Sequence, residues 1–232
     1  MKPIYDHDGI TLYCSDWQSL SPQSADLVWT DPPYNVGKDY GVADDNLPDE
    51  EYLTLTAEWI QVAKKTAKEI AIYTPTKYLL KYWNLLGPEY KQIILTWTPE
   101  GAIRGTFVNQ FASILTNAKP KQRTKDVWNN MQMRGMGYFF KENDFGHPGY
   151  TSEAITSKVI SSFTDEDAVV FDPFLGTGTT AVICKRLGRK FVGCEINEKY
   201  CQIAIERLRQ SVIKFERGHN DATEKITSSE AD

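Results

Sequence analysis

The sequence predicts an α/β fold in which a central, mostly parallel sheet carries helices on both faces. Three observations lead to this prediction. Short segments rich in Val, Ile, Leu and Tyr alternate along the chain with longer segments of helical periodicity. One of the apolar segments runs into a glycine-bearing turn and then into a helix. The 232 residues can bury a sizeable core, and a composition of 41% hydrophobic and 25% charged residues is typical of globular domains.

The predicted strands are short, apolar and bounded by turn residues. In chain order they are Thr11–Ser15, Asp26–Thr30, Glu69–Thr74, Lys91–Thr98, Ala112–Asn117, Ala168–Phe171 and Lys190–Cys194. The predicted helices are Asp49–Lys68, Thr76–Leu86, Ser152–Phe163, Thr179–Leu187 and Glu198–Lys214. The first helix follows Pro48 and begins with three acidic residues, which complement the positive end of the helix dipole.

The chain is predicted to form one domain over residues 1–216, followed by a polar tail at 217–232 that we expect to be disordered. Residues 100–146 show the least regular pattern and are predicted to be an insertion. No apolar run approaches the ~20 residues of a membrane span, and the first residues lack the pattern of a secretory signal, so we expect a cytoplasmic protein. The 4 cysteines form no C-x-x-C pair, which predicts reduced thiols and neither a disulfide framework nor a metal site.

Basic residues are concentrated in one part of the chain. The net charge of −5 argues against a general affinity for nucleic acid, because phosphate-binding proteins usually present a basic surface. Residues 119–141, however, hold six basic residues against Asp126, a local charge of +5, with aromatic residues in and beside the stretch. Such a run is consistent with a solvated loop. Contact with nucleic acid becomes the favoured interpretation only together with the motifs described next.

The first motif is VVFDPFLGTGTTAVICKRLGRKFVGCEI, in which a predicted strand leads to the turn Gly176-Thr177-Gly178 and then to a helix. Glycines let the backbone approach a ligand and present N–H groups at the start of the helix. The next strand ends at Glu195, 19 residues after Gly176, where a carboxylate can accept hydrogen bonds from the two hydroxyls of a ribose. The motif therefore predicts a site for an adenosyl-type ligand. A dinucleotide site and a purely structural turn are the alternatives.

The second motif is LVWTDPPYNVG, in which an apolar strand ends at Asp31-Pro32-Pro33-Tyr34. Ligands of open α/β sheets bind at the carboxyl ends of strands. The prolines fix the backbone in an extended form and remove two N–H donors. The Asp31 carboxylate and the Pro32 carbonyl can then hold one amino group, while Tyr34 stacks on the ring that carries it. A rigid turn with an aromatic anchor is the alternative.

Together the two motifs resemble those of the DNA amino-methyltransferases of the D/N/S-P-P-Y/F/W type. In their order they are similar to the permuted β group, in which D-P-P-Y precedes D-P-F-x-G-x-G. The resemblance covers most of residues 11–210 and extends to E-I-N-x-x-Y-x-x-x-A-x-x-R-L from Glu195 to Leu208. It implies a Rossmann-like methyltransferase fold with S-adenosyl-L-methionine as cofactor and double-stranded DNA as partner. It also allows a homodimer.

The resemblance implies roles for particular residues. The residues it makes catalytic are Asp31, Pro32, Pro33 and Tyr34. The residues it places at the cofactor are Asp16, Asp31, His147, Asp172, Pro173, Phe174, Gly176, Thr177, Gly178, Thr179, Glu195 and Ile196.

Two of these assignments rest on segments that depart from the family pattern. Asp16 follows a serine where the family usually has glycine, and a helix N-cap is its alternative role. His147 begins HPGYTSEA, which lacks the lysine and second proline of the family's H-P-T-x-K-P. Tyr150 and Thr151 are then the candidates to contact the carboxylate of the cofactor in their place.

The expected reaction is direct in-line transfer of the sulfonium methyl group to the N6 amino group of an adenine that has been flipped out of the duplex. An aspartate at the first position of D-P-P-Y resembles the adenine branch more than the cytosine-N4 branch. Cytosine N4, RNA or a protein side-chain amide are alternative substrates, and a catalytically silent DNA-binding regulator is an alternative function. A nicotinamide dehydrogenase would leave D-P-P-Y unexplained.

Target recognition is predicted to lie outside the cofactor motif. We expect the 100–146 insertion to contact phosphates through its basic side chains and guanine edges through two of its arginines, Arg104 and Arg134. The loop 36–48 is expected to close over the flipped base. The residues predicted to bind nucleic acid are Arg104, Lys119, Lys121, Arg123, Lys125 and Arg134.

Overall fold

The computed structural model describes residues 1–20, 24–42, 45–96, 111–129 and 151–210. The strands in these ranges are β1 (Tyr5–His7), β2 (Ile10–Cys14), β3 (Ala25–Thr30), β4 (Ala67–Thr74), β5 (Lys91–Thr96), β6 (Phe111–Thr116), β7 (Val127–Trp128), β8 (Val169–Asp172) and β9 (Lys190–Glu195). The α-helices are α1 (Asp49–Thr66), α2 (Leu79–Leu86), α3 (Glu153–Phe163), α4 (Thr179–Arg186) and α5 (198–210). Two 3₁₀ turns cover Trp17–Ser19 and Thr76–Tyr78.

The described strands form one 9-stranded sheet in the order β1-β2-β9-β8-β3-β4-β6-β5-β7. From β2 to β4 all neighbours are parallel, so the carboxyl ends of these strands lie along one edge, which we call the carboxyl edge. The opposite edge is the amino edge. Strand β6 is antiparallel to both β4 and β5, and β1 is antiparallel to β2. The prediction of a mostly parallel sheet is confirmed.

Each face of the sheet buries its own hydrophobic core. On one face Trp29 of β3 packs in a cluster with Val159 of α3, and with residues of α4 and α5. On the other face Val28 packs in a cluster with Ile60 of α1 and Tyr82 of α2. Successive residues of β3 thus point to opposite cores, as the two-residue period of a strand requires. Helices therefore cover both faces, as the sequence predicted.

Every predicted strand is present, with ends that differ by one or two residues among the described positions. The short edge strands β1 and β7 were missed because two or three residues carry no visible alternation. The helix predicted from Thr76 begins with the 3₁₀ turn, and α1 ends at Thr66 because Ala67 already belongs to β4. The tail and most of the predicted insertion lie outside the described residues. Within the described ranges no helix is long and apolar enough to cross a membrane.

Asn117 holds the end of the antiparallel strand β6 against β4 at the amino edge. Its side-chain oxygen accepts the N–H of Ile70 at 2.8 Å, and its side-chain nitrogen donates to the carbonyl of Lys68 at 3.0 Å. Both backbone groups belong to β4, beyond the last paired residue of β6. The side chain therefore continues the ladder that the backbone of β6 has ended.

Replacing Asn117 with alanine should lower the free energy of unfolding by about 1–2 kcal/mol, because two backbone groups lose their partners. Urea unfolding monitored by circular dichroism measures this change. The matched control is Asn84→Ala on the exposed side of α2, expected to stay within about 0.5 kcal/mol of the parent. Equal midpoints for the two variants would contradict the proposed stabilisation.

Candidate active site

Asp31 directly follows β3, near the middle of the carboxyl edge. One carboxylate oxygen accepts the hydroxyl of Tyr34, and the other accepts the hydroxyl of Thr151 at 2.6 Å. Burial raises the pKa of Asp31, and these hydrogen bonds together with the charge of Lys38 oppose the rise. The carboxylate is thus held in one orientation and can still accept further hydrogen bonds, since each oxygen has two lone pairs.

The ring of Tyr34 is fixed in several ways. It lies almost parallel to the ring of Tyr73, with centroids 6.3 Å apart and planes at 11°. Lys38 places its ammonium 5.8 Å from the Tyr34 centroid. Burial and the neighbouring Asp31 raise the pKa of Tyr34 well above its ordinary value, so the phenol stays protonated and donates to the carboxylate. Next to it, the Pro33 carbonyl accepts the hydroxyl of Tyr52 at 3.0 Å.

Asp172 ends β8, the strand beside β3. Its carboxylate accepts hydrogen bonds from the hydroxyls of Thr30 and Thr180, each at 2.7 Å, and from the N–H of Phe174 at 3.0 Å. Burial raises the pKa of Asp172 to about 6 in spite of these donors, and the charge of Asp31 adds to the rise. Both oxygens are therefore engaged by groups of the protein.

The glycine turn and the acid predicted to bind ribose are in direct contact. Glu195 ends β9 and accepts the N–H of Gly176 at 2.9 Å through one oxygen and the N–H of Asn197 at 2.8 Å through the other. Gly178 precedes α4 with a φ of 88°, and a Cβ there would lie 2.7 Å from the Cβ of Ala204 in α5. The turn thus requires glycine both for its backbone angle and for close packing.

Asp16 and Ile196 lie at the same end of the site. Ser15 donates its N–H to the carbonyl of Glu195 at 2.9 Å, which places Asp16 beside the end of β9. Asp16 caps the 3₁₀ turn after β2 by accepting the N–H of Gln18 at 2.8 Å, so its alternative role as a cap is present. Ile196 directly follows Glu195 in the chain and is 43% exposed. Two acids next to an exposed apolar side chain fit the hydroxyls and the ring of an adenosyl group.

The remaining residues of the glycine motif are largely buried. Pro173 is buried, and Phe174 packs edge-on against Trp59 of α1 with centroids 5.6 Å apart. Thr177 and Thr179 are both hydrogen-bonded to Arg207, through the Thr177 carbonyl at 2.7 Å and the Thr179 hydroxyl at 3.2 Å. Arg207 is the arginine of the family motif that runs from Glu195 to Leu208, but the motif alone predicts no role for it.

The residues directly after D-P-P-Y are folded around Asp45, a functional candidate that the sequence did not predict. Asp45 accepts the backbone N–H groups of Asn35, Val36 and Lys38 at 2.7 to 3.1 Å. Asn35 is buried with a φ of 54°, a conformation that asparagine adopts more readily than most residues. The available signal in the sequence was the presence of Asn and Asp after D-P-P-Y, because these short polar side chains often hydrogen-bond to the backbone of a turn.

The same loop touches the predicted cofactor end of the site. The side-chain nitrogen of Asn197 donates to the carbonyl of Tyr40 at 2.8 Å. Asn197 itself follows Glu195 by two residues. The loop therefore bridges the end of β3 and the end of β9. Its predicted closure over a base stays a prediction.

Only some of the residues predicted to bind nucleic acid can be located. Arg104 and Arg134 lie outside the described residues, as does His147, which was predicted to lie at the cofactor. Lys119 and Lys121 lie near the amino edge, away from Asp31, and Lys121 forms an ion pair with Asp165 at 2.7 Å. The two others, Arg123 and Lys125, are exposed on the segment that leads to β7. The structure does not bring Lys119 and Lys121 to the site, and their contact with DNA stays a prediction.

Comparisons with known proteins follow the same motifs. A family model described as DNA methylase matches residues 65–206. The Type II methyltransferase M.HpaI of Haemophilus parainfluenzae is 31% identical over 220 residues, which cover 82% of this chain and 70% of that protein. The Type II methyltransferase M2.DpnII of Streptococcus pneumoniae is 27% identical over 248 residues, covering 89% of this chain and 92% of that protein.

Solved structures share the fold at lower identity. The M1.HpyAVI–SAM complex superposes with a TM-score of 0.62 at 23% identity, covering 86% of this chain and 98% of that one. The PvuII DNA methyltransferase, described as cytosine-N4-specific, superposes with a TM-score of 0.66 at 16% identity, covering 89% and 88%. These likenesses confirm the predicted α/β fold.

The pKa of Asp172 can be tested directly. Because the folded-state pKa of about 6 exceeds the ordinary value of 3.8, folding takes up a proton between these values. This carboxyl therefore favours folding fully below about pH 4, and that contribution is lost as the pH rises through 6. We expect ¹³C NMR of the Asp172 carboxyl to titrate with a midpoint near pH 6.

Asp172→Asn serves as the control that assigns this resonance. A midpoint below pH 4 would mean that the three donors outweigh burial, and the predicted pH dependence would then be reversed.

Proposed function

The chain belongs to the DNA methylase family of N6 and N4 amino-methyltransferases, and from this premise we propose that it methylates the N6 amino group of adenine in double-stranded DNA. The observation that carries the proposal is the Asp31 carboxylate at the end of β3, hydrogen-bonded to Tyr34. The Glu195–Gly176 contact lies at the same edge of the sheet. An amino group held at the first site is thus presented toward a ligand held at the second.

S-adenosylmethionine is the cofactor, and when bound it supplies an electrophilic methyl group on a sulfonium. The residues at the end of β9 fit it: we assign the ribose hydroxyls to Glu195, the adenine ring to Ile196 and a further polar contact to Asp16. The turn from Gly176 to Thr179 offers N–H groups at the start of α4 to the methionine part. Asp172, whose oxygens are engaged by the protein, acts by holding this turn in place.

The target base must leave the duplex before it can reach Asp31, at a cost of a few kcal/mol. Tyr34 is proposed to stack on the base, and its own contact with Tyr73 prepares the ring for this. Asp31 and the Pro32 carbonyl accept the two N–H groups of the amino group. This grip reduces conjugation of the nitrogen with the ring and turns its lone pair toward the methyl group.

Asp31 also stabilises the charge that develops during transfer. The amino nitrogen becomes positively charged as the new bond forms, and an ionised carboxylate within hydrogen-bond distance offsets that charge in a site of low dielectric constant. The nitrogen can then release a proton to Asp31 or to water. The role is chiefly one of orientation and electrostatic stabilisation.

Adenine is preferred to cytosine because the first residue of D-P-P-Y is aspartate, as in the adenine branch of the family. The fold itself is compatible with either base, since the cytosine-N4-specific PvuII enzyme shares it. Relatives named Type II methyltransferases also support a place in restriction–modification, with the chain as the modifying enzyme.

Incubation of the purified protein with S-adenosylmethionine and unmethylated DNA, followed by nucleoside mass spectrometry, should yield N6-methyladenine. RNA treated in parallel should remain unmodified. If N4-methylcytosine appears in the DNA instead, the proposed mechanism stands but the target base is cytosine and not adenine. If the protein binds the cofactor but modifies neither polymer, the alternative of a catalytically silent DNA-binding regulator is favoured and the proposed activity is refuted.

Asp31→Asn should lower kcat by at least about 10²–10³-fold, because it removes the negative charge that stabilises the transferring nitrogen. Cofactor affinity, measured by calorimetry without DNA, should change by less than about threefold, since Asp31 acts on the base. Glu58→Gln on the exposed side of α1 is the matched loss of charge and should leave both quantities unchanged. Normal turnover in Asp31→Asn would refute the assignment.

A further inference from the structure

Arg207 is a charged side chain buried next to the glycine turn. It lies on α5 and is 7% exposed. One terminal nitrogen donates to the Thr177 carbonyl at 2.7 Å, and the other donates to a carboxylate oxygen of Glu153 at 3.0 Å. The planar guanidinium therefore fixes the distance between the turn and α3.

Glu153 is the first residue of α3 and follows Thr151 by two residues. Its other oxygen accepts Arg186 of α4 at 2.7 Å. Although burial alone would raise the pKa of Glu153, the two arginines hold it below its ordinary range, so the carboxylate is ionised at neutral pH. The start of α3 is thus tied by charge-assisted hydrogen bonds, which are stronger and more directional than neutral ones.

Thr151 reaches the other half of the site. Its hydroxyl donates to Asp31 at 2.6 Å, across a separation of 120 residues. In the family segment H-P-T-x-K-P the corresponding position is a lysine, which this chain lacks. A neutral hydroxyl here orients the carboxylate without adding a second positive charge beside the reacting nitrogen.

We propose that the Glu153–Arg207 pair is a positioning unit that joins the two halves of the active site. At one end it holds the Thr177 carbonyl, and with it the cofactor turn. At the other end it holds the first turn of α3, so that Thr151 orients Asp31. This inference rests on the proposed function for the identity of the two halves. Glu153 and Arg207 are proposed to act through the residues that they hold, and not by touching the methyl group or the base.

A purely structural brace between α3 and α5 would also use such a pair, and its loss would lower stability only. The proposed positioning unit predicts a different result. Loss of Glu153 should disturb cofactor binding and turnover together, whereas loss of the Thr151 hydroxyl should disturb turnover alone. Arg186 provides the comparison, because it binds the same carboxylate but does not contact the glycine turn in any bond described for it.

The test compares Thr151→Val, Thr151→Ser, Glu153→Gln and Arg207→Lys, with Arg186→Gln as the matched control. We expect Thr151→Val to lower kcat about tenfold with an unchanged cofactor Kd, and Thr151→Ser to restore it. Glu153→Gln and Arg207→Lys should each raise the cofactor Kd and lower kcat by about fivefold or more. Arg186→Gln should stay within about twofold of the parent in both.

Two further readouts separate positioning from stability. The Thr151 hydrogen bond lowers the pKa of Asp31, so Thr151→Val should move the ¹³C NMR titration of Asp31 to higher pH. Thr151→Val and Glu153→Gln act on one path, so their combined loss of kcat should be smaller than the product of the single losses. Thermal denaturation of each variant identifies any that fail to fold. If Arg207→Lys is among them, the cofactor Kd is measured with Glu153→Gln alone, which is the smallest change.

The inference is overturned if Glu153→Gln and Arg207→Lys change only the Tm, leaving Kd and kcat like those of Arg186→Gln. It is also overturned if the losses of Thr151→Val and Glu153→Gln multiply. Cofactor Kd and the Asp31 titration require no DNA. A failure of the proposed DNA substrate would therefore leave these two readouts able to decide the inference.

Discussion

The site depends on one buried carboxylate, Asp172. Its three donors come from β3, from the glycine turn and from α4, so a single side chain joins the strand of D-P-P-Y to the strand and helix of the glycine motif. Burying a carboxylate is costly unless hydrogen bonds replace its water. Here they do so in part, and the remaining cost appears as a raised pKa. The separation of the two motifs is consequently fixed within the protein before any ligand binds.

The arrangement of the core could be predicted because parallel strands leave strong local signals. In the runs around Val28 and Phe171 successive residues are apolar, as expected for strands that are buried on both faces of a sheet. Glycines follow helices α2 and α4 and mark where these helices end. The glycine turn and the acid at the end of the next strand were recognised from their spacing of 19 residues, and in the structure the two are in direct contact. In each case the informative residues lie within about 20 positions of one another, a range over which sequence patterns are reliable.

What the sequence could not reveal were partners distant in the chain. Thr151 and Asp31 are 120 residues apart, and nothing in either segment signals the other. Thr151 was one of two candidates to contact the cofactor's carboxylate, a role that stays a prediction, and in the structure its hydroxyl donates to Asp31. The basic residues Lys119 and Lys121 looked suited to DNA, yet the reversal of β6 carries them to the amino edge. The position of these two lysines follows from the direction of β6, which the composition of the segment does not encode.

The antiparallel pairing of β5 with β6 has a consequence for how such enzymes diversify. Thr96 and Phe111 are direct partners in the ladder, so the two ends of the segment that joins β5 to β6 are held together at a single point on the carboxyl edge. Lengthening a loop closed in this way costs only about 0.6 kcal/mol for each doubling. Segments of different length and sequence can thus be exchanged at this point without altering the register of the core. A new segment can therefore be grafted here while the strands that carry Asp31, Asp172 and Glu195 keep their positions.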